Sequence, residues 1–126
     1  MTIVFLDSSV LIALAFNEPT AVGARRKLSG AERVLAAPLL EAEVRAAFRR
    51  EERAVNEALF SPIEWIHPNR RLSNEIAQVL DAGYVRGADC WHLATALFAA
   101  PKPADATFLT FDSRQRAAAR ALGFRV

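Results

Sequence analysis

The chain has 126 residues, 52% of them hydrophobic and 24% charged, with a formal net charge of +2. That length holds one domain around one core, and the composition excludes a disordered chain. A single cysteine, Cys90, excludes an internal disulfide and a cysteine-rich zinc site. No uncharged run approaches the roughly 18–20 residues of a membrane span. The first residues carry no basic segment leading an apolar stretch, so the expected setting is cytoplasmic, without a membrane partner.

Short β-rich runs alternate with helical stretches, which predicts an α/β domain over 1–126. The expected architecture is a central, mostly parallel sheet of four to five strands flanked by helices. Ile3–Leu6 reads as the first strand and ends at Asp7. Ser8 to about Phe16 reads as a helix, with Ser8 as its N-cap and Pro19 beyond its end. A second helix is expected from about Thr20 to Leu28, closing near Gly30. Val34–Ala37 is the second strand, and Pro38 leads into a helix from Leu39 to about Arg53. Ile63–Ile66 is the third strand. Ser73–Ala82 is a helix that stops at Gly83. Ala88–Ala99 is mostly apolar, and so a buried helix, ended by Pro101. Thr107–Phe111 is the fourth strand, Ser113–Leu122 a helix closed by Gly123, and Phe124–Val126 a fifth strand.

Four acids fall at meaningful places in this pattern. Asp7 and Asp112 end strands, Glu43 follows the second strand through a short Pro-led connection, and Asp89 sits in the first turn of its helix. In open α/β sheets, ligands bind outside the carboxyl ends of the strands, so these groups are expected to converge. A pair of carboxylates 4 Å apart repels by about 4 kcal/mol at an effective dielectric near 20. A cation removes that penalty. An all-oxygen site suits Mg²⁺ or Mn²⁺ better than zinc and implies phosphodiester chemistry. Glu41 lies about 200° round the helix from Glu43 and cannot face the same pocket. Glu41 is therefore read as solvated and Glu43 as the site residue. Singly, each acid is an ordinary turn or cap residue; the ordered set of four carries the signal. Asp81 and Asp105 read as surface residues.

The residues around these acids are read more plainly. His92, three after Asp89, could bond a carboxylate but is read as a satisfied core histidine. Cys90, Trp65 and Trp91 read as packing residues, His67 as a strand-end surface residue, and Arg25, Arg26 and Lys27 as a solvated helix face. A phosphoaspartyl hydrolase is disfavoured because Asp7-Ser8-Ser9 lacks a second acid two positions on. A receiver-like domain is disfavoured because the third strand ends in Ile66-His67.

The wording around the acids resembles the PIN domain family, and most closely VapC-type toxins of toxin–antitoxin pairs. The matching stretches are Val4-Phe5-Leu6-Asp7-Ser8-Ser9-Val10-Leu11 and Glu41-Ala42-Glu43-Val44-Arg45. They continue with Arg86-Gly87-Ala88-Asp89-Cys90-Trp91-His92-Leu93-Ala94-Thr95-Ala96 and Phe108-Leu109-Thr110-Phe111-Asp112, trailing into Ala121-Leu122-Gly123-Phe124. The resemblance implies a metal-dependent ribonuclease with RNA as substrate, a homodimer, and a cognate antitoxin that reaches into the site. Asp7, Glu43, Asp89 and Asp112 are then the catalytic and metal-binding acids for Mg²⁺ or Mn²⁺, with Asp7 and Asp89 the firmest ligands. Ser9 matches a hydroxyl residue that orients the first carboxylate; as a plain helix-start hydroxyl it would satisfy a backbone group instead. Arg86, Arg114 and Arg50 are the candidate RNA-binding cations. The alternative is a catalytically weak PIN-like interaction module regulated by antitoxin binding. One departure stands out: the segment from Glu43 to Ile63 is shorter than the family often has, and that region commonly shapes substrate grip and the dimer face.

Overall fold

A computed structural model describes residues 2–126; Met1 lies outside the described residues. Four strands form one parallel sheet in the order β3-β2-β1-β4: β1 Ile3–Leu6, β2 Arg33–Ala36, β3 Ile63–Trp65 and β4 Ala106–Leu109. The described helices are α1 Ser8–Ala15, α2 Ala21–Ser29, α3 Leu39–Arg50, α4 Ser73–Ala82, α5 Gly87–Ala99 and α6 Ser113–Leu122. None of them is long and apolar enough to cross a membrane.

Successive strand side chains point to opposite faces, so β1 serves two cores. Phe5 packs with Phe108, Leu35, Val79 and Leu93 under α4, α5 and α6. Val4 and Leu6 pack with Val10, Leu40, Val44 and Phe48 under α1, α2 and α3. Phe5 and Phe108 stack at 5.7 Å between centroids across the β1–β4 pair. A strand covered on both faces must be apolar throughout, which is why Ile3–Leu6 shows no alternation. Because all strands are parallel, their carboxyl ends share one edge, and the register pairs Leu6 with both Ala36 and Leu109.

The α/β class and the parallel sheet are as expected, and several boundaries are corrected. The cap of α1 is Asp7, not Ser8: Asp7 is extended (φ −89°, ψ 154°) and its carboxylate accepts the Ser9 N–H. The third helix stops at Arg50 rather than Arg53, because Glu52 adopts a left-handed φ of 53° and the Arg53 N–H turns back to the Phe48 carbonyl. The fourth strand stops at Leu109 rather than Phe111. There the Phe111 and Asp112 N–H groups donate to the Ser9 and Thr110 hydroxyls and leave the ladder. The expected fifth strand is reduced to one parallel bridge, Thr107 with Arg125. It follows Gly123, whose φ of 102° closes α6 in the left-handed region where a side chain is strained.

Candidate active site

The last step of β1 places the first acid. The Asp7 N–H donates to the Leu109 carbonyl at 3.0 Å, which sets Asp7 beside Thr110 at the end of β4. Asp7 is buried, yet its two oxygens fare differently. Oδ2 accepts from the Ser9 hydroxyl at 2.6 Å, the Ser9 N–H at 3.2 Å and the Thr110 hydroxyl at 3.1 Å. Oδ1 is buried with no hydrogen-bond partner among the described residues. Ser9 thus both bonds the carboxylate and accepts the Phe111 N–H at 3.1 Å, so the two readings of Ser9 hold together.

A second layer ties the other strand-end acids to this one. Gln115 is fully buried in the first turn of α6. Its Oε1 faces the Thr110 hydroxyl at 2.8 Å, its Nε2 donates to the Asp89 carbonyl at 3.3 Å, and its N–H donates to Asp112 Oδ1 at 2.8 Å. Thr110 has one hydrogen to offer and two acceptors within reach, Asp7 Oδ2 and Gln115 Oε1, while its oxygen accepts the Asp112 N–H. Gln115 therefore contacts the segments that bear Asp89 and Asp112, and meets Thr110, which lies beside Asp7. Asp112 caps α6 as Asp7 caps α1. The plain cap role and the place in the acid group are held by the same side chains.

Electrostatics separates the acids into two kinds. Burial, then the charges of Asp7 and Asp112, push the Asp89 carboxyl above its ordinary range, against the pull of Arg86 and His92. Glu43, from α3, places Oε1 2.5 Å from His92 Nε2. Burial pushes Glu43 up, but the His92 hydrogen bond and charge, with the Ser8 hydroxyl, outweigh it and leave the carboxyl below its ordinary range. His92 is buried as expected of a core residue, but its partner is a site carboxylate, and its ring nitrogen also lies 3.8 Å from Asp7 Oδ1.

A pocket of about 250 Å³ is lined by Val85, Arg86, Asp89, Asp112 and Arg114. Arg86 reaches toward Asp89, Nε to Oδ2 at 4.0 Å. Two of the three candidate RNA cations therefore rim the acids. Arg50 does not: it lies against Glu51 at 3.5 Å and lines a depression with Ile12, Phe16 and Glu18. Seven residues keep one helix face but carry Arg50 about 10 Å along the axis from Glu43. Glu41 turns to Arg45 at 2.8 Å, away from Glu43. A larger depression of about 410 Å³, between α1, α2 and β3, has apolar walls such as Leu11, Leu14, Leu28 and Ile63 and offers no carboxylate. The carboxylates belong to the smaller pocket.

The donor set fits a hard divalent cation. Its acids offer only oxygen ligands, Asp89 feels the like charges of Asp7 and Asp112 after burial, and Asp7 Oδ1 is unpartnered among the described residues. No three such side chains among the described residues already stand as a metal cage. Mg²⁺ does not require one, since it binds through one or two carboxylates and keeps several waters.

Sequence reasoning passed over Thr110 and Gln115. Gln115 had a signal: Asp112-Ser113-Arg114-Gln115 has capping-box spacing at a helix start. Thr110 had none, being one more β-branched residue in a strand-like run.

The four-stranded parallel sheet sets Asp7 and Asp112 at its carboxyl edge, with Asp89 beside them on α5. The PIN domain family matches residues 4–121, and the chain belongs to that family. PIN domains are typically nucleases, which places the chain at a coarse level among hydrolases. No curated protein matches the chain.

Proposed function

We propose that the chain is a Mg²⁺-dependent endoribonuclease, with Mn²⁺ as a substitute ion, and the toxin of a VapC-type pair restrained by a cognate antitoxin. The observation that carries the nuclease reading is geometric: Asp89 and Asp112 line one pocket with Arg86 and Arg114, and the buried Asp7 keeps Oδ1 without a hydrogen-bond partner among the described residues. The toxin setting, the antitoxin and the homodimer rest on the resemblance of the four motif stretches. Asp7 and Asp89 are the residues to hold the ion, with Glu43 and Asp112 completing the acid group. When bound, the ion neutralises charge developing on the phosphate and lowers the pKa of the attacking water.

The chain's own residues prepare that site. Ser9 occupies Asp7 Oδ2 through its hydroxyl and its N–H, which leaves the buried Oδ1 as the oxygen without a partner among the described residues. Gln115 ties the Asp89 segment to the Asp112 cap. Arg86 and Arg114, at the pocket rim, supply guanidinium groups suited to the flanking phosphates of RNA.

The test is cleavage of a labelled RNA by purified protein in Mg²⁺, with and without chelator. Wild type should cut only with the ion, and Asp7→Asn should lower the rate by more than about 100-fold. Undiminished cutting by Asp7→Asn protein free of contaminating nuclease refutes the reading.

A further inference from the structure

The His92 ring is an expensive thing to bury. It is fully inaccessible on α5, its Nδ1 has no hydrogen-bond partner, and its neighbours Leu93, Ala94 and Leu97 are apolar. A buried polar atom without a partner is destabilising, and an aliphatic side chain would fill the same space without that cost. One contact offsets it, Nε2 to Glu43 Oε1 at 2.5 Å. Asp7 Oδ1, at 3.8 Å, is too far to share the bond.

Glu43 needs such an anchor. It stands on α3, packed on the opposite face of the sheet from α5, and no arginine pairs with it among the described residues. The other acid of that stretch, Glu41, is drawn outward by Arg45. His92 lies three residues from Asp89 on one helix face, so a single rigid element carries both Asp89 and the group that holds Glu43. We infer that His92 is the positioning residue that fixes the Glu43 carboxylate at the acid cluster, locking α3 to α5 across the site. This rests on the metal-dependent nuclease reading above and adds a residue to it.

The test compares His92→Leu, His92→Gln and Glu43→Gln, alone and combined, by calorimetric Mn²⁺ binding and by RNA cleavage kinetics. His92→Leu should weaken Mn²⁺ binding and lower kcat by about 10-fold or more, with the KM for RNA nearly unchanged. His92→Gln, whose amide offers a donor at similar reach, should recover most of that loss. In the Glu43→Gln background, His92→Leu should cost nothing further, because its effect passes through Glu43. A folded His92→Leu protein with wild-type Mn²⁺ affinity and kcat overturns the inference, as do losses that multiply in the double variant. Should His92→Leu fail to fold, ring ¹⁵N resonances of His92 decide: Glu43→Gln must shift them, and unmoved signals overturn the inference. Wild type that neither binds Mn²⁺ nor cleaves overturns the nuclease reading as well, a result distinct from failure of the His92 role alone.

Discussion

The outer face of α3 and the strand-end pocket both carry clustered acids, in opposite surroundings. On the α3 side, Arg45 takes Glu41 at 2.8 Å and Glu57 at 2.7 Å while its guanidinium covers the Phe60 ring. Nearby, Arg33 takes Glu64. Each of these glutamates has an arginine, and Glu57 and Glu64 are held below the usual carboxylate range by those hydrogen bonds. In the pocket, Asp89 is pushed the other way by burial and by its own kind. Surface ion pairs are solvated and contribute little, whereas a half-buried acid facing other acids, with its arginine only at 4.0 Å, favours added positive charge. Local charge balance, not acid content, separates a surface from a site.

Magnesium should break the contrast most visibly. An ion that binds only the folded chain stabilises it by about 2.7 kcal/mol at 100 times its Kd, roughly 10 °C in Tm for a domain of this size. Differential scanning calorimetry with Mg²⁺ against chelator should show a shift of that order for wild type and little for Asp7→Asn. Equal shifts in both would move the ion site elsewhere.

Gln115→Ala removes the bridge beneath the pocket and leaves the Asp89 carbonyl without its side-chain donor. Urea unfolding should register a loss of about 2 kcal/mol, together with weaker cleavage. A stability unchanged from wild type would reduce Gln115 to a bystander.

A smaller effect concerns Asp89 itself, and its sign is opposite to that of Glu43. The folded Asp89 carboxyl lies above its ordinary value of 3.8, so its favourable contribution is present below that pH and lost as pH rises through the raised value. Glu43 lies below its ordinary 4.5, so its contribution is present above that pH and lost as pH falls through the lowered value. In chelator at pH 7, Asp89→Asn should therefore raise Tm by a few degrees, and the gain should vanish in acid. A Tm that falls at pH 7 would show that Asp89 is already compensated. Smallest of all, Glu57→Ala should leave cleavage and Tm unchanged within error, since its partner Arg45 keeps Glu41. A clear loss there would extend the functional surface to α3's outer face.

Much of this was legible in residue order. Apolar runs such as Ile3–Leu6 fit strands covered on both faces, and the mostly apolar α5 fits a helix buried over most of its length. Pro38 and Pro101 marked the edges of α3 and α5, and strand-end acids could be tied to one edge of a parallel sheet before any coordinates. The choice of Glu43 over Glu41 followed from helical angle alone, and the structure turns Glu41 to Arg45 and Glu43 to His92.

What helical angle could not give was distance along an axis and the identity of partners. Arg50 shares a face with Glu43 yet ends about two turns away, beside Glu51. Thr110 was invisible, and Gln115 legible only as a helix-cap residue, because a hydroxyl or an amide acquires meaning only from the groups opposite it, here Asp7 and the Asp89 carbonyl. His92 looked like packing because its helix is apolar; only the approach of α3 supplies the carboxylate that explains it. Periodicity and composition are local properties and so fix elements and their order. Hydrogen-bond partners separated by 49 to 103 residues are decided by how the layers close on one another.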